Sequence, residues 1–287
     1  MAVRQLLLPA FALFSSDRLN RQRIKAATRS AAIGLCHHAL GWLSRPYQHH
    51  AGSCVVFAPH PDDETLGCGG LIARKRNEGL PVHVVFITDG SASHPGHPRL
   101  SPAEVVVIRH HEALEALAIL GVESPAIHFL NETDGALNHL TPERQAGLVS
   151  QLAALLTGIK PAEIFLPCCP DGSSEHDAAF GFVSAALRRA QVQPAIWQYP
   201  VWSWWNPLLL FERIIRNRCC CVQPAEDYQA IKTQALSRYR SQVEPALPWS
   251  EPVLLPELVR VCNSGQEFFF RFVPPPPGAG AAGDPVI

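Results

Sequence analysis

The chain has 287 residues, 47% of them hydrophobic, and a formal net charge of −1 at pH 7. This length can bury a full α/β core, whereas the near-neutral charge argues against a general nucleic-acid role, because phosphate binding needs a basic face. The nine cysteines are an odd number, and five of them cluster at positions 168–169 and 219–221. Such usage suits a reducing compartment better than a disulfide scaffold, so we expect a cytoplasmic location.

The first 50 residues are predicted to form a helical extension. Residues 6–14 are apolar and imitate a signal peptide, but the run is short, contains Pro9 and lacks a clean cleavage site after it. Residues 17–45 alternate basic and apolar positions at helical spacing, which predicts one or two helices laid on the domain or on a membrane surface. No segment reaches about 18 consecutive apolar residues, so a spanning helix is not expected.

A strand, a turn and a helix are predicted next. Residues 54–58 form a continuous apolar run with β-branched members, which is typical of a strand buried on both faces of a parallel sheet. Pro59 and Pro61 favour a turn, and a helical pattern then runs from Thr65 to Gly79. Ligands in such sheets bind outside the carboxyl ends of the strands, so the turn is a candidate site.

The turn carries side chains suited to metal chemistry. His60 and Asp63 are three residues apart and can face one point, as two zinc ligands must, each about 2 Å from the metal. Asp62 lies between them and is free to act as a general base toward an attacking water. An alternative is that acidic residues 62–64 only cap the helix, where carboxylates suit the positive end of its dipole. That alternative does not account for His60.

Strands and helices continue to alternate along the chain. Ser101 and Glu104 form a predicted capping box, with Pro102 at the first helical position. The further predicted strands are 82–87, 126–130, 162–167 and one around Trp197, and the intervening helices end near Gly121 and Gly158. This alternation predicts an α/β fold, a Rossmann-like three-layer sandwich with a mostly parallel sheet and the active site at the carboxyl ends of the strands.

The glycines after the turn do not predict a dinucleotide site. The G-x-G-x-x-G fingerprint that would start at Gly67 and Gly69 needs a third glycine where Ile72 stands. No cofactor other than a metal ion is therefore expected.

A third metal ligand is needed, because catalytic zinc normally has three from the protein. The strand at 162–167 leads into a loop, and His176 stands at the start of the helix that follows, from where it can point back across the sheet edge. Cys168 and Cys169 are competing ligands. They are adjacent and lack a C-x-x-C partner, so buried thiols are the favoured interpretation.

Over roughly residues 53–245 the chain resembles the PIG-L/LmbE-like family of zinc-dependent N-acetylglucosaminyl deacetylases. Several blocks carry the resemblance and follow the family's order. They are residues 58–70 around the predicted turn, 86–90 after the second strand, the Arg109-x-x-Glu112 helix ending at 120–122, and residues 232–242 of a late helix.

The resemblance implies a zinc-dependent hydrolase that removes the acetyl group from an N-acetylated amino-sugar conjugate. It implies that His60, Asp63 and His176 hold the zinc ion and that Asp62 is the base. Arg109 matches the family and is a candidate for binding a sugar hydroxyl or a phosphate. Two other classes stay open, an amidohydrolase for a non-sugar amide and a degenerate, non-catalytic carbohydrate-binding member.

Ser173 is a departure from the family. The second zinc motif usually reads His-x-Asp-His, and this chain has Ser173-Ser174-Glu175-His176. Ser173 therefore replaces a histidine implicated in stabilising the oxyanion or protonating the leaving group. A serine can donate a hydrogen bond but supplies neither a cation nor a proton near pH 7. We expect Ser173 to lie beside the substrate, with the rate or the substrate altered.

Two further groups concern the rim of the site. His94 and His97, in the loop after the second predicted strand, are expected to be exposed to solvent on a mobile rim. In the aromatic stretch 197–205, Trp197 and Tyr199 are expected to pack inside. The three later tryptophans are left open between packing, stacking on a sugar and contact with lipid headgroups.

Three arginines follow the aromatic stretch. They suit an anionic membrane surface or a phosphorylated substrate as well as a solvated helix face, and they are Arg213, Arg216 and Arg218.

The chain is thus divided into a helical extension at 1–50, a deacetylase-like domain at 51–272 and a tail at 273–287 whose Pro, Gly and Ala content predicts disorder. Whether the sugar conjugate is linked to a lipid or to a nucleotide stays open. Peripheral membrane contact also stays open, and the sequence does not determine the oligomeric state.

Overall fold

A computed structural model of the protein describes residues 27–48, 50–217, 220–224 and 226–274. The apolar run at 6–14, much of the predicted helical extension, Arg218 and nearly all of the predicted tail lie outside the described residues.

One sheet of eight strands forms the centre of the described part. The strands are β1 (Arg45–Pro46), β2 (Cys54–Ala58), β3 (Val82–Thr88), β4 (Ile127–Glu132), β5 (Glu163–Pro167), β6 (Ala195–Tyr199), β7 (Cys220–Pro224) and β8 (Gln266–Phe272). Their order across the sheet is β1-β7-β8-β6-β5-β2-β3-β4. All neighbouring pairs are parallel except the two that β8 makes with β6 and β7. The predicted, mostly parallel α/β sheet is confirmed.

Helices connect the strands. They are α1 (27–43), α2 (Asp63–Asn77), α3 (Pro102–Ile119), α4 (Pro142–Ile159), α5 (Ser174–Ala190), α6 (Pro207–Asn217), α7 (Gln229–Leu236), α8 (Arg240–Val243) and α9 (Pro256–Cys262). The predicted capping box starts α3, because the Ser101 side chain accepts from the Glu104 N–H and the Glu104 side chain accepts from the Ser101 N–H. No helix in the described residues has the length and apolar character needed to cross a membrane.

The core has two halves, one on each side of the sheet. Val56 of β2 faces the half that holds α1, α2, α3, α7 and α9. Val55 and Phe57 face the half that holds α4 and α5. Because successive side chains of a strand point to opposite faces, β2 is apolar throughout and buried on both sides, as predicted.

The three strands at one end of the sheet, β1, β7 and β8, were not predicted. A two-residue strand such as β1 has no periodicity. The run Phe268–Phe270 in β8 is buried, and a short apolar run of this kind fits a buried strand and a buried helix equally well. These three strands lie on the far side of β6 from the predicted turn, so their omission leaves the position of the site unchanged.

Candidate active site

The two predicted motifs meet because their strands are neighbours. β2 and β5 pair in parallel, so the segments that follow them leave the sheet at the same edge. The segment after β2 turns at residues 59–62 and enters α2 at Asp63. The segment after β5 follows the loop 168–173 and enters α5 at Ser174. His176 and Asp63 therefore stand in the first turns of two adjacent helices, at the carboxyl ends of the strands.

The three predicted ligands lie within reach of one point. Asp63 Oδ2 is 3.2 Å from His60 Nδ1 and 3.3 Å from His176 Nε2. One donor atom from each residue lies within 4.8 Å of the other two. Asp63 and His176 are buried and His60 is half-buried. The structure thus brings together two imidazole nitrogens and a carboxylate oxygen, the donor set that zinc accepts.

His176 has a nitrogen that suits a metal ion. Its Nδ1 lies 2.8 Å from Asp171 Oδ2, and the Asp171 carboxylate also accepts the backbone N–H groups of Val201, Trp202 and Ser203. A carboxylate can only accept, so Nδ1 carries a proton and Nε2 is the nitrogen that would offer its lone pair to a metal ion. Nε2 is buried without a hydrogen-bond partner. Such an atom is costly in an empty protein interior, and a bound cation would satisfy it.

His60 is held in a matching way. Its Nε2 lies 3.1 Å from Asp134 Oδ1, while its Nδ1 faces Asp63. The other oxygen of Asp134 accepts the Ala92 N–H. His60, Asp134 and Glu175 form a second group of donor atoms within 4.8 Å, which shares His60 with the first. Neither Asp134 nor Asp171 was predicted, and each stabilises one of the two predicted histidine ligands.

The electrostatics of the cluster favour added positive charge. Burial opposes the charged form of His60, but its hydrogen bonds to Asp134 and Asp63 outweigh burial and raise its pKa to about 9. Burial likewise opposes charge on His176, but the Asp63 charge and the Asp171 hydrogen bond raise its pKa to about 10. The same two histidines hold the pKa of Asp63 well below its usual range, against its burial. A field that holds protons on imidazoles would also hold a divalent cation in their place.

Asp62 is buried beside the ligands in an unusual backbone conformation. Its φ is 145°, in a region that side-chain-bearing residues rarely adopt and that costs on the order of 1–3 kcal/mol. Arg109 holds this conformation in place, because its Nη2 donates to Asp62 Oδ2 at 2.9 Å and to the Pro61 carbonyl. The capping alternative does not describe Asp62, whose side chain makes no capping hydrogen bond to α2.

The protein environment shifts the pKa of Asp62 in the opposite direction to that of Asp63. Burial raises the pKa of Asp62 to about 7, although the Arg109 cation acts in the opposite direction. A carboxyl group with a pKa near neutrality is suited to accept and release a proton at physiological pH. Asp62 and Asp63 are thus adjacent carboxyl groups whose pKa values are shifted in opposite directions.

The Arg109 side chain is buried and donates its hydrogen bonds to groups of the protein. It is 3% exposed, and it donates to the Gly90 carbonyl as well as to the turn that carries Asp62. Its partner in the R-x-x-E pattern, Glu112, accepts from both the N–H and the hydroxyl of Ser241. Arg109 therefore positions Asp62 in this structure, and its contact with substrate stays a prediction.

The late-helix block supports α2. Tyr239 donates to Glu64, whose other oxygen accepts the Asp62 N–H. Lys232 pairs with Glu267 at 2.8 Å and donates to the Leu66 carbonyl of α2. The sequence analysis matched this block to a family without giving its residues a role, and the structure shows that they brace the helix that begins with Asp63.

The glycines of the first motif allow this close packing. A Cβ at Gly67 would lie 2.1 Å from the Tyr199 ring, and one at Gly69 would lie 2.9 Å from Lys232 Cγ. They are thus required by packing on α2, consistent with the expectation that they form no dinucleotide site.

Ser173 immediately precedes α5, in an extended conformation and without a capping hydrogen bond from its side chain. It is half-buried, at the carboxyl edge, three residues before His176. Cys168 is buried, as predicted, while Cys169 is only partly buried. Whether Ser173 meets a substrate stays a prediction.

The predicted exposure of His94 and His97 is wrong. They are 5% and 8% exposed, and both pack on Trp249, His94 in a stacked arrangement with ring centroids 5.4 Å apart. Trp249 comes from a segment about 150 residues further along the chain. No local pattern reveals such a contact, so the histidines looked like ordinary loop residues.

The aromatic stretch is mostly internal. Tyr199 is buried and donates to the Phe57 carbonyl, and Trp197 donates to Glu163. These contacts confirm the predicted packing. Of the later tryptophans, Trp204 is buried and Trp202 and Trp205 are partly buried.

Arg213 does not lie on a solvated or membrane-facing surface. It is 7% exposed and donates to Gln198 and to the Pro170 carbonyl. The solvated-face and membrane-surface interpretations of Arg213 are therefore wrong, because its partners come from β6 and from the second motif loop, and contact with a phosphorylated substrate stays a prediction. The side chain of Arg216 and all of Arg218 lie outside what the structure describes.

Comparison with known proteins adds independent information. The PIG-L family, described as GlcNAc-PI de-N-acetylase, matches residues 55–187, a segment that includes all three predicted ligands and Asp62. At residues 55–187 the chain therefore carries a PIG-L domain.

Two relatives illustrate the range of similarity. The Uncharacterized deacetylase YaiS of Escherichia coli is 27% identical over 191 residues, which cover 65% of this chain and 90% of the relative. The 1D-myo-inositol 2-acetamido-2-deoxy-alpha-D-glucopyranoside deacetylase of a Mycobacterium species is 32% identical over 170 residues, or 50% of this chain. That match covers about half of the mycobacterial protein, 51% of its length.

Among solved structures, the conserved protein TT1542 of Thermus thermophilus superposes with a TM-score of 0.54 at 24% identity, covering 78% of this chain and 96% of TT1542. At this level of identity the likeness establishes the shared fold alone.

Proposed function

We propose that the protein is a zinc-dependent deacetylase that hydrolyses the acetamide of an N-acetylglucosamine-type conjugate and releases acetate and a free amine. One observation carries this proposal. His60, Asp63 and His176 converge beside Asp62, whose backbone conformation is strained. All four residues lie within the segment that matches the PIG-L family.

The donor set supports a metal ion at this point. Two imidazole nitrogens and one carboxylate oxygen are typical of catalytic zinc, and the partnerless Nε2 of His176 fits a ligand atom. His60, Asp63 and His176 would hold the ion. When bound, zinc would polarise the acetyl carbonyl and lower the pKa of a water molecule.

Asp62 would perform the proton transfers. Hydrolysis adds water to the carbonyl carbon and breaks the C–N bond, and the nitrogen must gain a proton to leave as an amine. Asp62 would accept the proton that the water loses and return it to the nitrogen. Its pKa of about 7 suits both transfers. Arg109 keeps the carboxylate oriented and opposes its protonation.

The sugar is proposed from the relatives. The mycobacterial relative is named for a 2-acetamido-2-deoxyglucopyranoside, and the family description names GlcNAc-PI. A glucosamine N-acetyl group is therefore the proposed reacting centre, with Ser173 as a hydrogen-bond donor beside it. The group attached to the sugar, lipid or nucleotide, stays a prediction, as do the cytoplasmic location with peripheral membrane contact and the boundaries of a catalytic domain at 51–272.

The test combines metal analysis with acetate release. Purified protein should contain about one zinc per chain and release acetate from at least one member of a panel of N-acetylglucosamine conjugates. A chelator should abolish the release and added zinc should restore it. Asp62→Asn is the control for contaminating activity. A zinc-loaded protein that hydrolyses small non-sugar amides but none of the sugar conjugates would refute the proposed substrate class.

A further inference from the structure

Helix α1 is apolar on two opposite sides. Its inner side is fixed to the domain, because Ile33, Cys36 and Leu40 are at most 3% exposed and belong to the core. On its outer side Leu35 and Trp42 lie about two turns apart and are 72% and 92% exposed. A helix that is apolar all round is normally enclosed by protein or placed against lipid.

The outer side carries little charge. Arg29 is the single charged residue between positions 28 and 43, apart from two histidines. Leu43, next to Trp42, is also 58% exposed. A tryptophan and two leucines on one exposed helix surface form a contiguous apolar patch of the kind that marks an interaction site.

The chain around this patch is strongly basic. There is no aspartate or glutamate between Asp17 and Asp62. The same stretch contains six cationic residues, which are Arg18, Arg21, Arg23, Lys25, Arg29 and Arg45. The whole chain has a net charge of −1, so its positive charge is concentrated here. A partner for the patch should therefore combine an apolar phase with negative charge.

Helix α1 contacts the segment that supports the candidate active site. The Arg29 guanidinium lies 4.9 Å from the centre of the Trp205 ring. Trp205 ends the short 3-10 helix Trp202–Trp205, whose backbone N–H groups hold Asp171 behind the ligand His176. Leu208, three residues further on, is 76% exposed.

We propose that the outer side of α1, formed by Leu35, Trp42 and Leu43, docks on a lipid bilayer that contains anionic headgroups. Tryptophan and leucine side chains on an amphipathic helix insert at the headgroup boundary. Neighbouring arginines and lysines are attracted by anionic lipids. A second copy of this chain would bring the same excess of positive charge in its residues 18–61, and like charges oppose that arrangement.

The test is vesicle binding by the full-length protein, without reference to catalysis. Wild type should co-sediment with vesicles of phosphatidylcholine and phosphatidylglycerol at least about tenfold more strongly than with phosphatidylcholine alone, and added salt should weaken the binding. Trp42→Glu should lower binding by about tenfold or more, since it places a charge in the interface. Both proteins should show the same circular dichroism and melting temperature, because Trp42 is exposed.

Val107→Glu is the matched control. Val107 is 70% exposed on α3, in the same layer of helices but near the opposite edge of the sheet, and this variant should bind like wild type. The proposal fails if wild type ignores anionic vesicles or if Trp42→Glu binds as well as wild type. A wild-type dimer that Trp42→Glu converts to a monomer, with no vesicle binding by either protein, would identify a second copy as the occupant instead.

Discussion

The two strand–loop–helix units that meet at the candidate site contribute in different ways. The β2–α2 unit supplies two proposed ligands and the proposed base within a span of four residues, and it places Asp62 at a φ of 145°. The β5–α5 unit supplies a single proposed ligand, His176, whose ring is held by Asp171. Asp171 is in turn held by three backbone N–H groups from a third segment. The first unit concentrates the chemistry, and the second provides one firmly oriented nitrogen.

Within the first unit, burial alone does not decide protonation. Asp62 and Asp63 are adjacent and both buried. Two histidines face Asp63 and keep it ionised, whereas Asp62 has a single arginine and is dominated by burial. This contrast teaches that neighbouring carboxyl groups obtain separate roles from their partners rather than from their depth.

The largest effect should come from removing one ligand from either unit. His60→Ala and His176→Ala should each lose the metal and all activity, because two remaining ligands hold zinc poorly. Metal content per chain, measured by atomic absorption, checks this. His111→Ala is the control, since that histidine is 74% exposed on α3. Full zinc occupancy in both ligand variants would remove the assigned site.

The adjacent carboxylates should separate ligand from base. Asp62→Asn keeps the size of the side chain but cannot accept a proton, so it should retain zinc and lose on the order of 10²- to 10⁴-fold in kcat. Asp63→Asn should instead weaken metal binding. Zinc titration and single-turnover rates on both variants check the contrast. Equal zinc loss in the two would mean that the roles are assigned wrongly.

The sequence predicted what is local and missed what is brought from a distance. His60, Asp62 and Asp63 lie in one turn, so their proximity could be predicted from the sequence alone. The alternation of strands and helices placed His176 at the same sheet edge. Asp134 could not be found in this way, because no spacing links it to His60, 74 residues earlier.

The same limit explains the two corrections. His94 is buried by Trp249, and Arg213 by partners on β6 and in the second motif loop. Such burial depends on how separate elements pack, whereas sequence patterns report only the periodicity of one element.

A smaller effect should follow from the carboxylates behind the histidines. Asp171→Asn and Asp134→Asn should each weaken zinc affinity by roughly 10- to 100-fold. The reason is that the imidazole ring that each carboxylate holds, His176 and His60 respectively, loses its orientation and basicity. Competition with a chelator of known affinity measures both. Glu115→Gln, half-exposed on α3, is the control. If only Asp171→Asn has an effect, the two histidines are not held by equivalent means.

Arg109 should shift the pH dependence of catalysis. Its cation lowers the pKa of Asp62 against burial, so Arg109→Met should raise that pKa and leave the base protonated over a wider range. The acidic limb of kcat/KM should therefore move to higher pH. Arg109→Lys, which keeps the charge, should move it less. An unshifted limb in Arg109→Met would show that Arg109 acts on something other than the charge of Asp62.

The smallest effect is expected at Ser173, where the second unit departs from its family. Ser173 immediately precedes α5 at the carboxyl edge, three residues before His176, and its side chain caps nothing. If the protein works without the family's histidine, Ser173→Ala should change kcat by less than about threefold, since a metal ion carries most of the oxyanion stabilisation. Ser173→His should raise kcat, because an imidazole restores an ionisable donor with a longer reach. Steady-state acetate release by the two variants measures both effects. A loss in Ser173→Ala as large as that in Asp62→Asn would instead give the serine a catalytic role of its own, and the second unit would then supply chemistry as well as a ligand.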